Sequence, residues 1–247
     1  MSFDLIIFGG TGDLAWRKLM PALFQAFRHG SLPEGGRIIG VARDNHTNEQ
    51  YRNLISARFD EVSIDKRPST DEFERFCQLL FYQRMDLSNP QDYQALADNV
   101  KERNANVLIM YLATAPALFT KVCEQIAEAG LNGPNTRVVL EKPLGSDLAS
   151  NRTINDAVSK VLNENQIFRI DHYLGKEPVI DLMDMRLLGY MEHFLNGKNI
   201  KKVEVRVLEK KLISGRGMFY DEVGALKDMG QNQIGRASCR ERVSSPV

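Results

Sequence analysis

Short apolar runs rich in Ile, Val and Leu alternate along this chain with longer stretches in which apolar residues recur every three or four positions. "DLIIF" near the start leads into a helical pattern from about Leu14. "RIIGVAR" follows, and then a helix opened by the N-capping signature "TNEQ" at Thr47 to Gln50. The order continues with "VLIMYLA" (107–113), the amphipathic "PALFTKVCEQIAEAG", the run "TRVVLEKP" and a further helix after Ser146. Strand and helix in regular alternation predict βαβ crossovers, and hence an α/β fold with a doubly wound parallel sheet. Pro21 falls inside the first helical pattern, where it must kink the helix or begin a second segment. From "IKKVEVRVLEKKL" (200–212) the period shortens to two, with charges on alternate positions. That suits an antiparallel sheet with one solvated face and marks the start of a second domain.

Composition narrows the function classes. With 247 residues, 43% of them hydrophobic, the chain can bury a sizeable core. Lys+Arg and Asp+Glu both number 32, and no basic stripe or polybasic run points to nucleic acid or an anionic membrane. A small polar ligand fits better. The apolar run in "MSFDLIIFGGTGD" is too short to span a membrane and lacks a basic region or a cleavage site, so the expected location is the cytoplasm. Cys77, Cys123 and Cys239 stand singly, without CxxC spacing or His companions. No metal site or disulfide framework is expected, and the three read as two small core residues and one stray.

"FGGTGDLAWRK" directly follows the first strand and opens the first helix. A dinucleotide pyrophosphate sits at such a place, against free backbone N–H groups and the positive end of the helix dipole. Gly9, Gly10 and Gly12 with Ala15 give GGxGxxA, a variant of the Rossmann fingerprint, with Thr11, Asp13 and Leu14 between them. The plainer alternative is an ordinary glycine turn. The dinucleotide is chosen at the end of the second strand, where an acidic residue holds a ribose 2′-hydroxyl and an arginine receives a 2′-phosphate. Arg43 stands there and Asp44 one place later, which favours NADP and leaves NAD open.

Two later stretches, "VVLEKPLGSD" and "FRIDHYLGKE", set charges at strand ends. Ligands of open α/β sheets bind beyond the carboxyl ends of the strands, so Lys142, Asp171, His172 and Lys176 can face one crevice with the cofactor. If the chain is helical after Asp171, His172 and Lys176 share a face and form a clamp for an anion such as phosphate. The alternative is a capped helix with surface ion pairs.

Taken together, "GGTGDLA", "YLATAP", "EKPLGSD", "RIDHYLGKE" and "DEVGALKDM" fall in an order and spacing that resembles glucose-6-phosphate dehydrogenases over residues 3–232. The resemblance implies oxidation of glucose 6-phosphate at C1 to the lactone with hydride transfer to NADP, the first step of the oxidative pentose phosphate pathway. It implies that Gly9 to Ala15 cradle the pyrophosphate, Arg43 takes the 2′-phosphate, and Asp86 and Leu87 lie near the adenosine. Tyr111 to Pro116 would support the nicotinamide end, and Lys18 and Lys142 would reach sugar or cofactor from opposite sides. His172, Tyr173 and Lys176 would hold the 6-phosphate, with Glu209 and Asp228 on the sugar hydroxyls. It also implies a Rossmann domain over 1–172 and, over 173–232, the start of an α+β substrate and dimerisation domain built on a large antiparallel sheet. A homo-oligomer, dimer or tetramer, is expected of the full-length protein and not of this chain. A Gfo/Idh/MocA-type sugar oxidoreductase shares the Rossmann domain and an "EKP" strand end, but "RIDHYLGKE" and "GGTGDLA" speak against it.

The family's general base is a histidine oriented by Asp171, and its place is taken here by Gln233, an amide that cannot accept a proton. Back-translated, "IGRASCRERV" matches one frame of a common sequencing adapter, whose preceding bases would turn a histidine codon into CAG. The expectation is that positions 233–247 are a sequencing artefact. If Gln233 is genuine, the chain reads as an NADP-binding module without catalysis.

Overall fold

The computed structural model describes residues 2–33, 35–60, 70–142, 144–145 and 147–171, together with scattered positions between 180 and 224. Two units divide the chain, Met1–Ile170 and Asp171–Val247. The first contains six strands: β1 (Phe3–Phe8), β2 (Gly36–Ala42), β3 (Leu80–Arg84), β4 (Val107–Leu112), β5 (Thr136–Glu141) and β6 (Ile167–Ile170). All pair in parallel in the order β3-β2-β1-β4-β5-β6. This is the doubly wound order with its switch point between β1 and β4. In the second unit, positions 203–212 of the expected charged strand lie outside the described residues.

Every residue of β1 is buried, because helices cover both faces of the sheet. Leu5 and Ile7 face a layer that includes Phe24, Tyr51 and Phe76 from α1 (Met20–Arg28), α2 (Asn48–Asp60) and α3 (Thr70–Cys77). Ile6 and Phe8 face the opposite layer, with Tyr93, Val122 and Val158 from α4 (Pro90–Arg103), α5 (Phe119–Glu128) and α6 (Leu148–Val161). Phe24 packs edge-on against Phe59, Phe73 and Phe76, with ring centroids 5.4–5.8 Å apart.

The helix boundaries follow from local chemistry. Thr47 and Gln50 make the reciprocal capping bonds that "TNEQ" predicts, and Asp147 caps α6 in the same way with Ser150. Ahead of Pro21 the chain does not simply kink. Residues Ala15–Leu19 widen into a π turn, in which the Met20 N–H donates to the Ala15 carbonyl, and α1 restarts with Pro21 in its first turn. A proline is tolerated there, since no N–H is needed from it.

One charge lies deep at the amino end of the sheet. Asp4 in β1 is fully buried and bonds Arg37 of β2 at 2.8 Å and Arg103 of α4 at 3.2 Å.

Candidate dinucleotide site

The carboxyl ends of the strands gather the residues singled out from the sequence. Gly9 to Ala15 follow β1, Arg43 follows β2, and Asp86 and Leu87 come shortly after β3. Tyr111 ends β4, Lys142 follows β5 and Asp171 follows β6. His172, Tyr173, Lys176, Glu209, Asp228 and Gln233 lie outside the described residues.

The glycine turn is built by its own packing. Gly9 has φ +84°, and a Cβ there would stand 2.8 Å from the Ala113 carbonyl oxygen. At Gly10 a Cβ would come within 2.5 Å of the Gly40 Cα. The N–H groups of both donate to the Val41 carbonyl, at 2.9 and 3.0 Å, and pin the turn to β2. Both glycines therefore satisfy steric needs of the protein itself, and glycine content alone does not identify a phosphate cradle.

The backbone beyond them is more telling. The first helical bond runs from the Trp16 N–H to the Gly12 carbonyl at 3.4 Å, so the N–H groups of Asp13, Leu14 and Ala15 precede any intrahelical acceptor. Such a helix start, at the switch point of an open parallel sheet, is chemically suited to an anionic diphosphate. Ala15 is fully buried where helix meets sheet, as the fingerprint requires. Nearby, the Thr114 hydroxyl is the only side-chain oxygen or nitrogen among the described residues that is buried without a hydrogen-bond partner. An unsatisfied hydroxyl beside the glycine turn fits a site whose polar contacts are completed by a ligand.

Residues not anticipated from the sequence shape the turn. The buried Tyr51 hydroxyl donates to the Gly10 carbonyl at 3.0 Å, and desolvation raises its pKa well above the ordinary tyrosine value. Tyr82 holds the exit of β2 by donating to the Asp44 carbonyl at 2.6 Å, with the Ala42 carbonyl also within 3.1 Å. Burial pushes its phenol up to about 12. The Asp44 carboxylate accepts from the Thr11 hydroxyl at 2.9 Å, which ties the strand end to the glycine turn.

Asp86 accepts from both the N–H and the hydroxyl of Ser88, and these bonds hold its carboxyl below the usual range, helped by the charges of Arg43 and Lys121. On the neighbouring strand ends, the Tyr111 hydroxyl donates to Glu141, the residue before Lys142, and joins the ends of β4 and β5. Desolvation, followed by that bond, raises the Tyr111 pKa. Lys18 is exposed on the π turn and Lys142 is half-buried.

Residues 6–181 match the family model "Glucose-6-phosphate dehydrogenase, NAD binding domain", and residues 188–238 match "Glucose-6-phosphate dehydrogenase, C-terminal domain". The chain belongs to the glucose-6-phosphate dehydrogenase family. Among curated relatives, glucose-6-phosphate 1-dehydrogenase of Mycolicibacterium smegmatis is 41% identical over 249 residues, covering 99% of this chain and 50% of the relative. That of Rhizobium meliloti is 40% identical over 246 residues, with the same coverage. A solved glucose-6-phosphate dehydrogenase in complex with its substrate glucose 6-phosphate superposes with a TM-score of 0.87 at 30% identity, over 99% of this chain and 52% of that one. The enzyme from Mycobacterium avium gives 0.84 at 33% identity, over 100% and 54%. The chain thus spans about half the length of the curated relatives it matches. Membership in this family sets aside the Gfo/Idh/MocA-type alternative.

Proposed function

We propose that this chain carries the cofactor half of an NADP-dependent glucose-6-phosphate dehydrogenase. The observation that carries the choice of NADP is the chemistry at the end of β2. The Asp44 carboxylate, the group that would hold a ribose 2′-hydroxyl, is engaged by Thr11, whereas the Arg43 side chain is exposed and has no protein acceptor among the described residues.

In this reading the N–H groups at the start of the first helix hold the pyrophosphate, and Arg43 takes the 2′-phosphate. Asp86 and Leu87 border the adenosine, and Tyr111 supports the nicotinamide end. Bound NADP supplies the acceptor for the hydride leaving C1 of glucose 6-phosphate. Lys18 and Lys142 orient sugar and cofactor, His172, Tyr173 and Lys176 bind the 6-phosphate, and Glu209 and Asp228 bind the hydroxyls. Asp171 is the carboxylate that would orient a histidine base. Gln233 stands in that base's position and cannot take the C1 hydroxyl proton, a loss worth about 10²–10⁴ in rate. That residue favours a second reading, in which the chain as written binds NADP without turning over.

The test is a fluorescence titration of the 247-residue chain with NADPH and with NADH, followed by an assay for NADPH formation from NADP and glucose 6-phosphate. The expected result is at least about tenfold tighter binding of NADPH, from the added phosphate contact, and no measurable turnover. Equal affinity for the two cofactors, or binding of neither, would overturn the assignment of NADP.

A further inference from the structure

A second arginine ends the neighbouring strand β3, beside the exit of β2 where Arg43 follows. In the parallel register of β2 and β3, Arg84 lies opposite Ala42, the last residue before Arg43. It shares its strand face with Tyr82, two residues earlier. Its Nε–H donates to the Arg43 carbonyl at 3.2 Å, while Tyr82 holds the carbonyl that follows. The guanidinium of Arg84 is thereby anchored at Nε across the exit of β2.

A guanidinium offers five donor hydrogens, and among the described residues only the one on Nε meets a protein acceptor. The side chain of Arg43 has no acceptor there either. Of the two carboxylates at these strand ends, Asp44 is bonded to Thr11 and Asp86 to Ser88. Two exposed arginines thus stand at adjacent strand ends with their terminal donors uncommitted among the described residues, and a phosphate monoester is the kind of acceptor such donors suit.

We infer that Arg84 is a second ligand of the 2′-phosphate and shares with Arg43 the discrimination between NADP and NAD. The inference rests on the NADP reading above. The Nε bond already restrains the Arg84 guanidinium beside the exit of β2, so less side-chain entropy is lost when the phosphate arrives. No role in the chemistry at C1 follows, because the adenosine end of a dinucleotide lies far from its nicotinamide.

The experiment is calorimetric titration of the 247-residue chain with two probes, adenosine 2′,5′-bisphosphate and adenosine 5′-monophosphate. They differ by the phosphate in question. Arg84→Gln is expected to weaken the bisphosphate about tenfold, as for one charge-assisted contact, and to leave the monophosphate within about twofold. The inference is overturned if the bisphosphate is unaffected, or if both probes weaken alike, since Arg84 would then act only by bracing the Arg43 carbonyl. Should Arg84→Gln fail to fold, Arg84→Lys carries the test. Lysine keeps the charge without the fork, so a selective loss for the bisphosphate supports the role and no loss refutes it. A wild-type chain that does not prefer the bisphosphate defeats the NADP reading itself. A chain that prefers it, yet is indifferent to Arg84→Gln, defeats only this inference.

Discussion

The hydroxyl of Tyr51 donates to the carbonyl of Gly10 across 41 residues of sequence, and its ring occupies the space that a side chain at Gly40 would need. A helix residue thereby holds the glycine turn from below, and β2 must be bare at Gly40 to admit it. Tyr51→Phe keeps the ring and removes the bond, leaving a buried carbonyl unsatisfied. The expected cost is about 1–2 kcal/mol in urea unfolding, with the affinity for NADPH falling as the turn loosens. An unchanged midpoint would show that the bond is not supporting the turn.

Alanine substitutions in the turn should rank by what each Cβ meets. Gly10→Ala meets three backbone atoms of Gly40 and Val41 at 2.5–3.0 Å, and backbone in mid-sheet cannot yield. The expected loss is about 3 kcal/mol or more. Gly9→Ala combines a positive φ with a 2.8 Å approach to Ala113, for about 2 kcal/mol. Gly12→Ala approaches only the Gly9 carbonyl oxygen, at 3.0 Å, and should cost under about 1 kcal/mol. Chemical denaturation of the three variants checks the order. Gly12→Ala proving the most damaging would mean that the turn is set by something other than these contacts.

Asp4 is a charge inside an otherwise apolar strand, and its worth depends on its partners. Arg37 also donates to the Asn99 side chain at 2.7 Å, so the ion pair is part of a bonded network joining β1, β2 and α4. Asp4→Ala would leave two guanidinium groups without their shared carboxylate at the sheet's amino end. Because Arg37 and Arg103 keep 12% and 28% of their side-chain surface exposed, the low end of the buried-pair range applies, about 3 kcal/mol. In a double-mutant cycle, Asp4→Ala combined with Arg37→Ala should lose less than the sum of the two single losses. Strict additivity would show that the two side chains do not interact energetically.

Much of this was legible in the sequence, and the gaps have physical causes. The alternation of "DLIIF", "RIIGVAR", "VLIMYLA" and "TRVVLEKP" marks four of the six strands, because strands buried on both faces read as apolar runs. β3 does not stand out in the sequence. Its five residues, "LFYQR", are too few and too polar to stand out beside α3 and α4. Arg84 is hidden for the same reason, since its nearness to Arg43 depends on β3 pairing with β2. The glycine turn and Arg43 were found because their chemistry is local. Tyr51, Gly40 and the partners of Asp4 were not, because each contact joins residues more than ten positions apart. In "FDLIIF" the anomaly of Asp4 was visible, but the arginines that satisfy it were not.

The two cysteines of the first unit report on its packing at alkaline pH. Burial pushes the Cys77 thiol up to about 11 and that of Cys123 up to about 12. Since the folded values lie above the unfolded one of about 8.5, the stability tied to these thiols is intact below pH 8.5. It is lost as pH rises toward the folded values. Thiolate, the reactive form, should be scarce in the folded chain at pH 8, so a Cys239→Ser variant should take up iodoacetamide slowly. The rate should climb about tenfold per pH unit between 8 and 10 and jump on unfolding in urea. Mass spectrometry of the modified peptides separates the two sites, and the half-buried Cys77 should lead Cys123. Alkylation of Cys77 at the rate of a free thiol at pH 8 would mean that it is not packed against the apolar layer of Phe24, Tyr51 and Phe76.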